Sequence, residues 1–463
     1  MNHSTGSGCS RRIFLASGAA AAISACSPQT GDRGSGLPDR GSVFIRNAYV
    51  MTMDAAGDLA GADIHISNGQ IAAVGPKLSV ANAEIIDGEG FIVLPGLIDT
   101  HWHMWNTLLR SLAGDTPDRG YFAMSPGVGR HFTPADTYQG TRLATAEAIH
   151  SGITFVHDWS HNMRGPEFAD QNLRALRESG LRGRMSYGTA QGQPATETVN
   201  LPDIERLHRD WKSLSNDGLL SLGLAWRAGV TDLARKEHGF ARQLGLPIST
   251  HTAINGPGQI QPLAAAGLLG KDVQLIHAVT ASAEEIAAMA ETGTAVSLSP
   301  FTELRTGFGF PKTSEFLEAG VRVGLSVDTT GLSGNADMFS IMKLIQNVEN
   351  GKALSEYKLP ARRVLELATI QGARSMGVDD RIGSITASKR ADLILVSTRA
   401  LNMAIFSDPA HLIVEAAQPA NVDTVIVDGL ILKRAGKLTS IDEATVIREA
   451  GAAFQAVRKR ANW

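Results

Sequence analysis

Between residues 91 and 328, short apolar runs alternate with stretches whose apolar positions recur at helical spacing. Eight runs read as β-strands: residues 91–99, 153–158, 182–189, 219–226, 246–252, 273–278, 294–299 and 321–328. Strands alternating with helical patterns predict parallel β/α units. Several of the intervening helices carry end signals. Ser282-Ala283-Glu284-Glu285 spells a capping box, and Gly293 stands where a left-handed stop is wanted. Gly245 and Gly320 take the same place after helices starting near Thr231 and Thr313. Eight such units over about 290 residues suit an α/β fold of the (β/α)8 TIM-barrel type. A doubly wound open sheet would instead want a glycine-rich phosphate turn after its first strand. In this chain the first strand leads into His101-Trp102-His103.

The pattern changes outside this region. From Ser42 to about Val93 the apolar segments are shorter, as in Val43–Val50, Ile64–Ile66 and Gln70–Val74. Asn68-Gly69, between the last two, is a strong hairpin signal. Similar segments return at Ala391–Val396 and Thr424–Gly429. The chain ends therefore predict a small β-sandwich domain from residues 42–90 and 385–440, around a barrel at 91–384. A C-terminal helix is expected over 441–463.

The first residues have another character. Ser10-Arg11-Arg12-Ile13-Phe14-Leu15 looks like a twin-arginine export signal, and the Ala-rich stretch Ala16–Ala25 is too short to span a bilayer. Ile23-Ser24-Ala25-Cys26 resembles a lipobox. Residues 1–26 are thus expected to be an export signal, and 27–41, rich in Gly, Ser, Pro and Asp, a flexible tether. The expected destination is the periplasm, with either a lipid anchor at Cys26 or simple cleavage near Ala25. Both cysteines, Cys9 and Cys26, lie in that signal, so any metal in the body must be held by His and carboxylate. Forty-three basic against 46 acidic residues, without a long run of one sign, leave no footprint for nucleic acid or an anionic membrane surface. A small molecule is the expected partner. The sequence leaves open whether the chain forms a homo-oligomer.

The apolar strand Phe91–Thr100 runs straight into His101 and His103, and residues two apart on a strand share a face, so both imidazoles can reach one ion. His251, His277 and Asp328 likewise close the runs 248–251, 275–277 and 324–328. A barrel gathers all strand C-termini on the one rim where its active sites lie. Trp102 and Trp105 flank the histidine pair and are candidate cavity walls, although packing explains them equally well. At the end of the second strand His157-Asp158-Trp159-Ser160-His161 makes Trp159 and His161 candidate substrate contacts, with His157 placed to pack.

With PGLIDTHWH at 95–103, STH at 249–251, IHA at 276–278, AGVRVGLSVD at 319–328 and NADMF at 335–339, the sequence resembles the amidohydrolase superfamily. The branch it resembles contains triazine hydrolases, cytosine deaminase and guanine deaminase. The resemblance implies one divalent ion, zinc first and iron as the other candidate, on His101, His103, His251 and Asp328. No Lys lies on the fourth strand, Leu219–Trp226, where members with two metals carry a bridging one, so a single ion is expected. Metal-activated water would attack, with Asp328 moving its proton and His277 steadying the oxygen that gains charge.

Deaminases of this branch usually carry a Glu shortly after the His of the fifth strand, whereas this chain reads His251-Thr252-Ala253-Ile254-Asn255. Glu303, after the seventh strand, is the candidate replacement, as general acid or as substrate contact. The expected activity is hydrolysis of a carbon–nitrogen bond other than a peptide bond: an amide, a urea-like group or a cyclic amide. Deamination or dechlorination of a heterocycle is the second reading, and a non-catalytic binding lipoprotein on the same fold the third.

Overall fold

The computed structural model describes residues 36–463. The expected export signal and most of the expected tether lie outside the described residues. The part of the tether that is described is fastened. Leu37 packs against the main core and Arg40 pairs with buried Asp428 at 2.8 Å.

Five strands open the chain: β1 (Val43–Met51), β2 (Asp58–Ser67), β3 (Gln70–Gly75), β4 (Glu84–Asp87) and β5 (Phe91–Pro95). Eight follow in the middle: β6 (Leu97–Trp102), β7 (Ile153–Ser160), β8 (Arg182–Tyr187), β9 (Leu220–Ala225), β10 (Ile248–Thr252), β11 (Val273–His277), β12 (Ala295–Leu298) and β13 (Val323–Leu325). The last four are β14 (Leu393–Ser397), β15 (Val422–Val427), β16 (Leu430–Arg434) and β17 (Lys437–Leu438).

Strands β6 to β13 pair in sequence order, all parallel, and form the expected TIM-type barrel. The other nine make one sheet in which β5 lies between β1 and β14, so both chain ends build it together. The Asn68-Gly69 turn has φ of 50° and 76°, as its hairpin signal requires, and Gly69 accepts a bond from the N–H of Ala391 at 3.0 Å. Sheet and hairpin thus close on a second, smaller core around Ile45, Ile64, Ile66 and Leu393.

One boundary differs from expectation. Residues 91–99 are two strands, β5 in the small sheet and β6 in the barrel. The break falls at Gly96, where a Cβ would stand 2.0 Å from the Thr154 hydroxyl; only a residue without a side chain passes there. Helix ends follow the sequence signals. Ser282 Oγ accepts from the Glu285 N–H while Glu285 accepts from the Ser282 N–H, and Gly293, Gly245 and Gly320 all take positive φ. The final helix, Glu443–Ala461, packs on the helix Pro134–Ser151 and pairs Glu449 with Arg142.

The small sheet is riveted to the barrel by charge. Arg182 on β8 is almost wholly buried and donates to both Asp392 oxygens, at 2.7 and 3.0 Å, and to Asp428 at 2.7 Å.

Candidate active site

At the rim, His101 and His103 leave the end of β6 and His251 sits on β10. Asp328 follows β13, where its N–H donates to the His101 carbonyl at 2.9 Å and its carbonyl accepts from the His103 N–H at 2.6 Å. These bonds form the bridge between Trp102 and Asp328 that joins the last strand to the first. Asp99 clamps the same seam from within, one oxygen accepting from the His101 N–H and the other from the Val327 N–H.

The four expected ligand residues converge. Their ligand atoms lie within 4.8 Å of one another, and this is the one such cluster among the described residues. Asp328 Oδ1 is 3.2 Å from His101 Nε2 and 3.3 Å from His103 Nε2, and the Nε2 atoms of His251 and His101 are 3.2 Å apart. A tetrahedron of zinc bonds at 2.0–2.1 Å needs ligand separations of about 3.3 Å, so the donor set fits such an ion. Burial, reinforced by the neighbouring imidazoles, holds the pKa of His101, His103 and His251 far below the ordinary range, leaving the neutral rings that bind metals. His103 is also oriented from behind, its Nδ1 meeting the Trp159 carbonyl at 3.1 Å.

His277, at the end of β11, faces the cluster, its Nε2 3.9 Å from Asp328 Oδ2. Its Nδ1 lies 3.2 Å from Glu303 Oε1. Burial alone would depress His277, but the Glu303 hydrogen bond and the charges of Asp328 and Glu303 outweigh it and raise its pKa. Burial raises the Glu303 carboxyl in turn, partly offset by His277 and by the Ser299 N–H at 2.8 Å. Both His277 and Asp328 hold positive φ, 69° and 61°, a strained arrangement for residues with side chains that is typical of functional sites.

A cavity of about 350 Å³ opens over the cluster. Trp159 and His161 line it, as expected, together with His103, His251, His277 and Asp328. Three expectations need correction. Trp102 is wholly buried in the main core and does not reach the cavity, because it lies between two inward histidines on the strand and must face the other way. Trp105 stands behind His161 and touches it through the indole nitrogen, at 3.3 Å from Nδ1. An indole N–H only donates, so Nδ1 accepts and the proton of the neutral ring sits on Nε2. Glu303 is fully buried beside His277 and does not line the cavity, since the short helix Pro300–Arg305 carries it back under the rim. His157 packs as expected, between the Thr100 carbonyl and the Ser186 hydroxyl.

The aromatic side of the cavity was missed. It comes from Tyr121 and Phe122 on the helix Tyr121–Gly129 and from Phe308 after β12. Phe308 meets His277 edge-on with centroids 5.5 Å apart and lies 5.8 Å from Phe122. Tyr121 is held through Asn106, which bonds its hydroxyl at 3.0 Å and accepts from Thr329 at 2.9 Å. The available signal was position: long connections at a barrel's C-terminal face carry function. Ile254 also lines the cavity, at the place expected for an acid.

A sequence model of the amidohydrolase family matches residues 92–432. A 5'-deoxyadenosine deaminase of Methanosarcina mazei is 30% identical over 443 residues, 91% of this chain and 99% of the relative. A zinc-bound adenosine deaminase structure from Xanthomonas campestris has a TM-score of 0.82 at 25% identity, covering 91% of this chain and all of that one. The zinc-bound atrazine chlorohydrolase of Arthrobacter aurescens TC1 shares the fold with a TM-score of 0.76, at 23% identity over 89% of this chain and all of its own. The chain belongs to the amidohydrolase family and is a hydrolase of carbon–nitrogen bonds other than peptide bonds.

Proposed function

We propose that the substrate is a small, flat, nitrogen-containing ring compound and that the bond cleaved is of amide type, in a carboxamide, a urea-like group or a cyclic amide. The observation that carries this reading is Ile254 in the cavity wall beside His251. Removing an exocyclic amine from an amidine-like ring needs a proton on the ring nitrogen, and a carboxylic acid after His251 is the group that relatives are expected to use for it. An amide carbonyl is electrophilic without that proton. The aromatic side chains of Tyr121, Phe122, Phe308 and Trp159 suit a flat ring.

His101, His103, His251 and Asp328 would hold one divalent ion, zinc by preference, whose Lewis acidity makes water nucleophilic near neutral pH. Asp328 accepts the proton of the attacking water and passes it to the leaving nitrogen. His277, its ring set by Glu303, turns Nε2 toward the substrate oxygen as charge develops there. His161 offers its Nε2–H as a second donor.

A second reading, deamination of an adenosine-like nucleoside, is favoured by the deaminase names of the full-length relative and of the zinc-bound neighbour. Zinc-loaded protein given 5'-deoxyadenosine and a panel of cyclic amides, with products followed by mass spectrometry and ammonia assay, separates the two. Gain of one water without ammonia from a cyclic amide is expected. Ammonia from 5'-deoxyadenosine alone would replace the first reading by the second.

We further infer export through the twin-arginine motif and attachment at Cys26. Membrane fractionation of the wild type and Cys26→Ser tests this: the variant should leave the membrane fraction.

A further inference from the structure

We propose that Trp463 is a positioning residue for the cavity, bracing the helix Tyr121–Gly129 and thereby the outer wall of the site; the functional weight of this rests on the cavity being the substrate site. One side of that helix supplies Tyr121, Phe122, Ser125 and Pro126 to the cavity. On the helix backbone at Gly127, a Cβ would come within 3.1 Å of Cζ3 of Trp463, so the indole lies close against the helix where the side chain is missing. Two residues on, a Cβ at Gly129 would stand 2.9 Å from Cη2 of Trp105. The segment is thus gripped by two tryptophans.

Charged groups close the grip. Just before the helix, the Arg119 guanidinium lies over the Trp463 ring at 4.8 Å. Trp463 is itself folded back on its own helix, its main-chain oxygen accepting from Arg458 Nε and Nη2 at 3.2 and 3.1 Å. Beyond the cavity helix, Arg460 donates to the His131 carbonyl at 2.9 Å and pairs with Asp136. The final helix therefore pins the cavity segment before its start and after its end.

The cavity helix needs such support. It has nine residues, too few to persist alone, and Pro126 in its interior removes an N–H, while Gly127 and Gly129 have low helix propensity. Its order comes from tertiary contacts, among them Trp463 against Gly127 and Trp105 against Gly129.

Hydrogen exchange of the full chain, read by mass spectrometry without substrate, tests the brace independently of the reaction. Trp463→Ala should speed exchange of peptides covering residues 119–131 by about tenfold, with β6 to β13 unchanged. Trp463→Phe should restore protection to within about twofold of wild type. If the alanine variant does not fold, Arg119→Gln at the exposed surface should still speed the same peptides by about threefold. Unchanged exchange at 119–131, or a rise spread evenly over the barrel, overturns the proposal, whatever substrate the enzyme proves to have.

Discussion

Trp102 and Asp328 pair across the seam of the barrel, so three of the four candidate ligands, His101, His103 and Asp328, sit at the joint that closes it. Beside this bridge and the Asp99 clamp, the Thr100 hydroxyl donates to the Leu325 carbonyl at 3.0 Å, and β13 is only three residues long. An ion bound to both sides of the joint would therefore add to the closure. Free metal at about 100 times its Kd should add about 2.7 kcal/mol of stability. Thermal unfolding before and after stripping with a chelator measures this. An unchanged midpoint would show that the seam closes without the ion.

The link between Glu303 and His277 yields a kinetic prediction. Glu303→Gln keeps an oxygen for the Ser299 N–H but loses the charge that orients His277. Because the cavity does not reach Glu303, kcat should fall about 10- to 100-fold with KM nearly unchanged. A rise in KM alone would return Glu303 to substrate binding.

Ile254 offers a gain-of-function test. Placing a carboxylic acid there, as Ile254→Glu, supplies the proton donor that exocyclic amine removal needs. Ammonia release from 5'-deoxyadenosine should rise about 100-fold over wild type, the lower range for a positioned general acid. A wild type already fast on this compound, and slowed by the substitution, would mean that His277 or His161 delivers the proton instead.

The four clustered residues were legible because each closes an apolar strand, and a parallel barrel converts that one-dimensional position into a shared rim. The same alternation that joins His101 to His103 also places Trp102 on the opposite face, which outweighs its nearness to the pair in the chain. Gly96 hid a strand break inside a continuous apolar run, since only the approach of Thr154 reveals why the chain must turn there. Glu303 reads as a loop residue by sequence because the helix that turns it under His277 is six residues long. The helix with Tyr121 and Phe122 carries Pro and three glycines in and beside it, and its order comes from Trp105 and Trp463 rather than from its own pattern.

The charged rivet between barrel and small sheet gives a last prediction. Removing Asp392 strips buried Arg182 of the carboxylate it bonds twice and leaves Asp428 as its remaining ion-pair partner, so the loss should lie below about 3–5 kcal/mol, the cost of a fully uncompensated buried charge. Urea unfolding of Asp392→Ala should show that loss. Asp428 adds a pH dependence. Burial would raise its pKa, but bonds and charge from Arg390 and Arg182 prevail and lower it to about 2 from the usual 3.8. A pKa lower in the folded state means that folding favours the ionised form. The stabilisation is therefore full above about pH 4 and disappears as pH falls through about 2. It amounts to about 2 kcal/mol. Asp428→Asn should flatten this acid slope while leaving the slope near neutrality as it was. A variant with the wild-type acid slope would place the titrating group elsewhere, away from the joint between β8 and the small sheet.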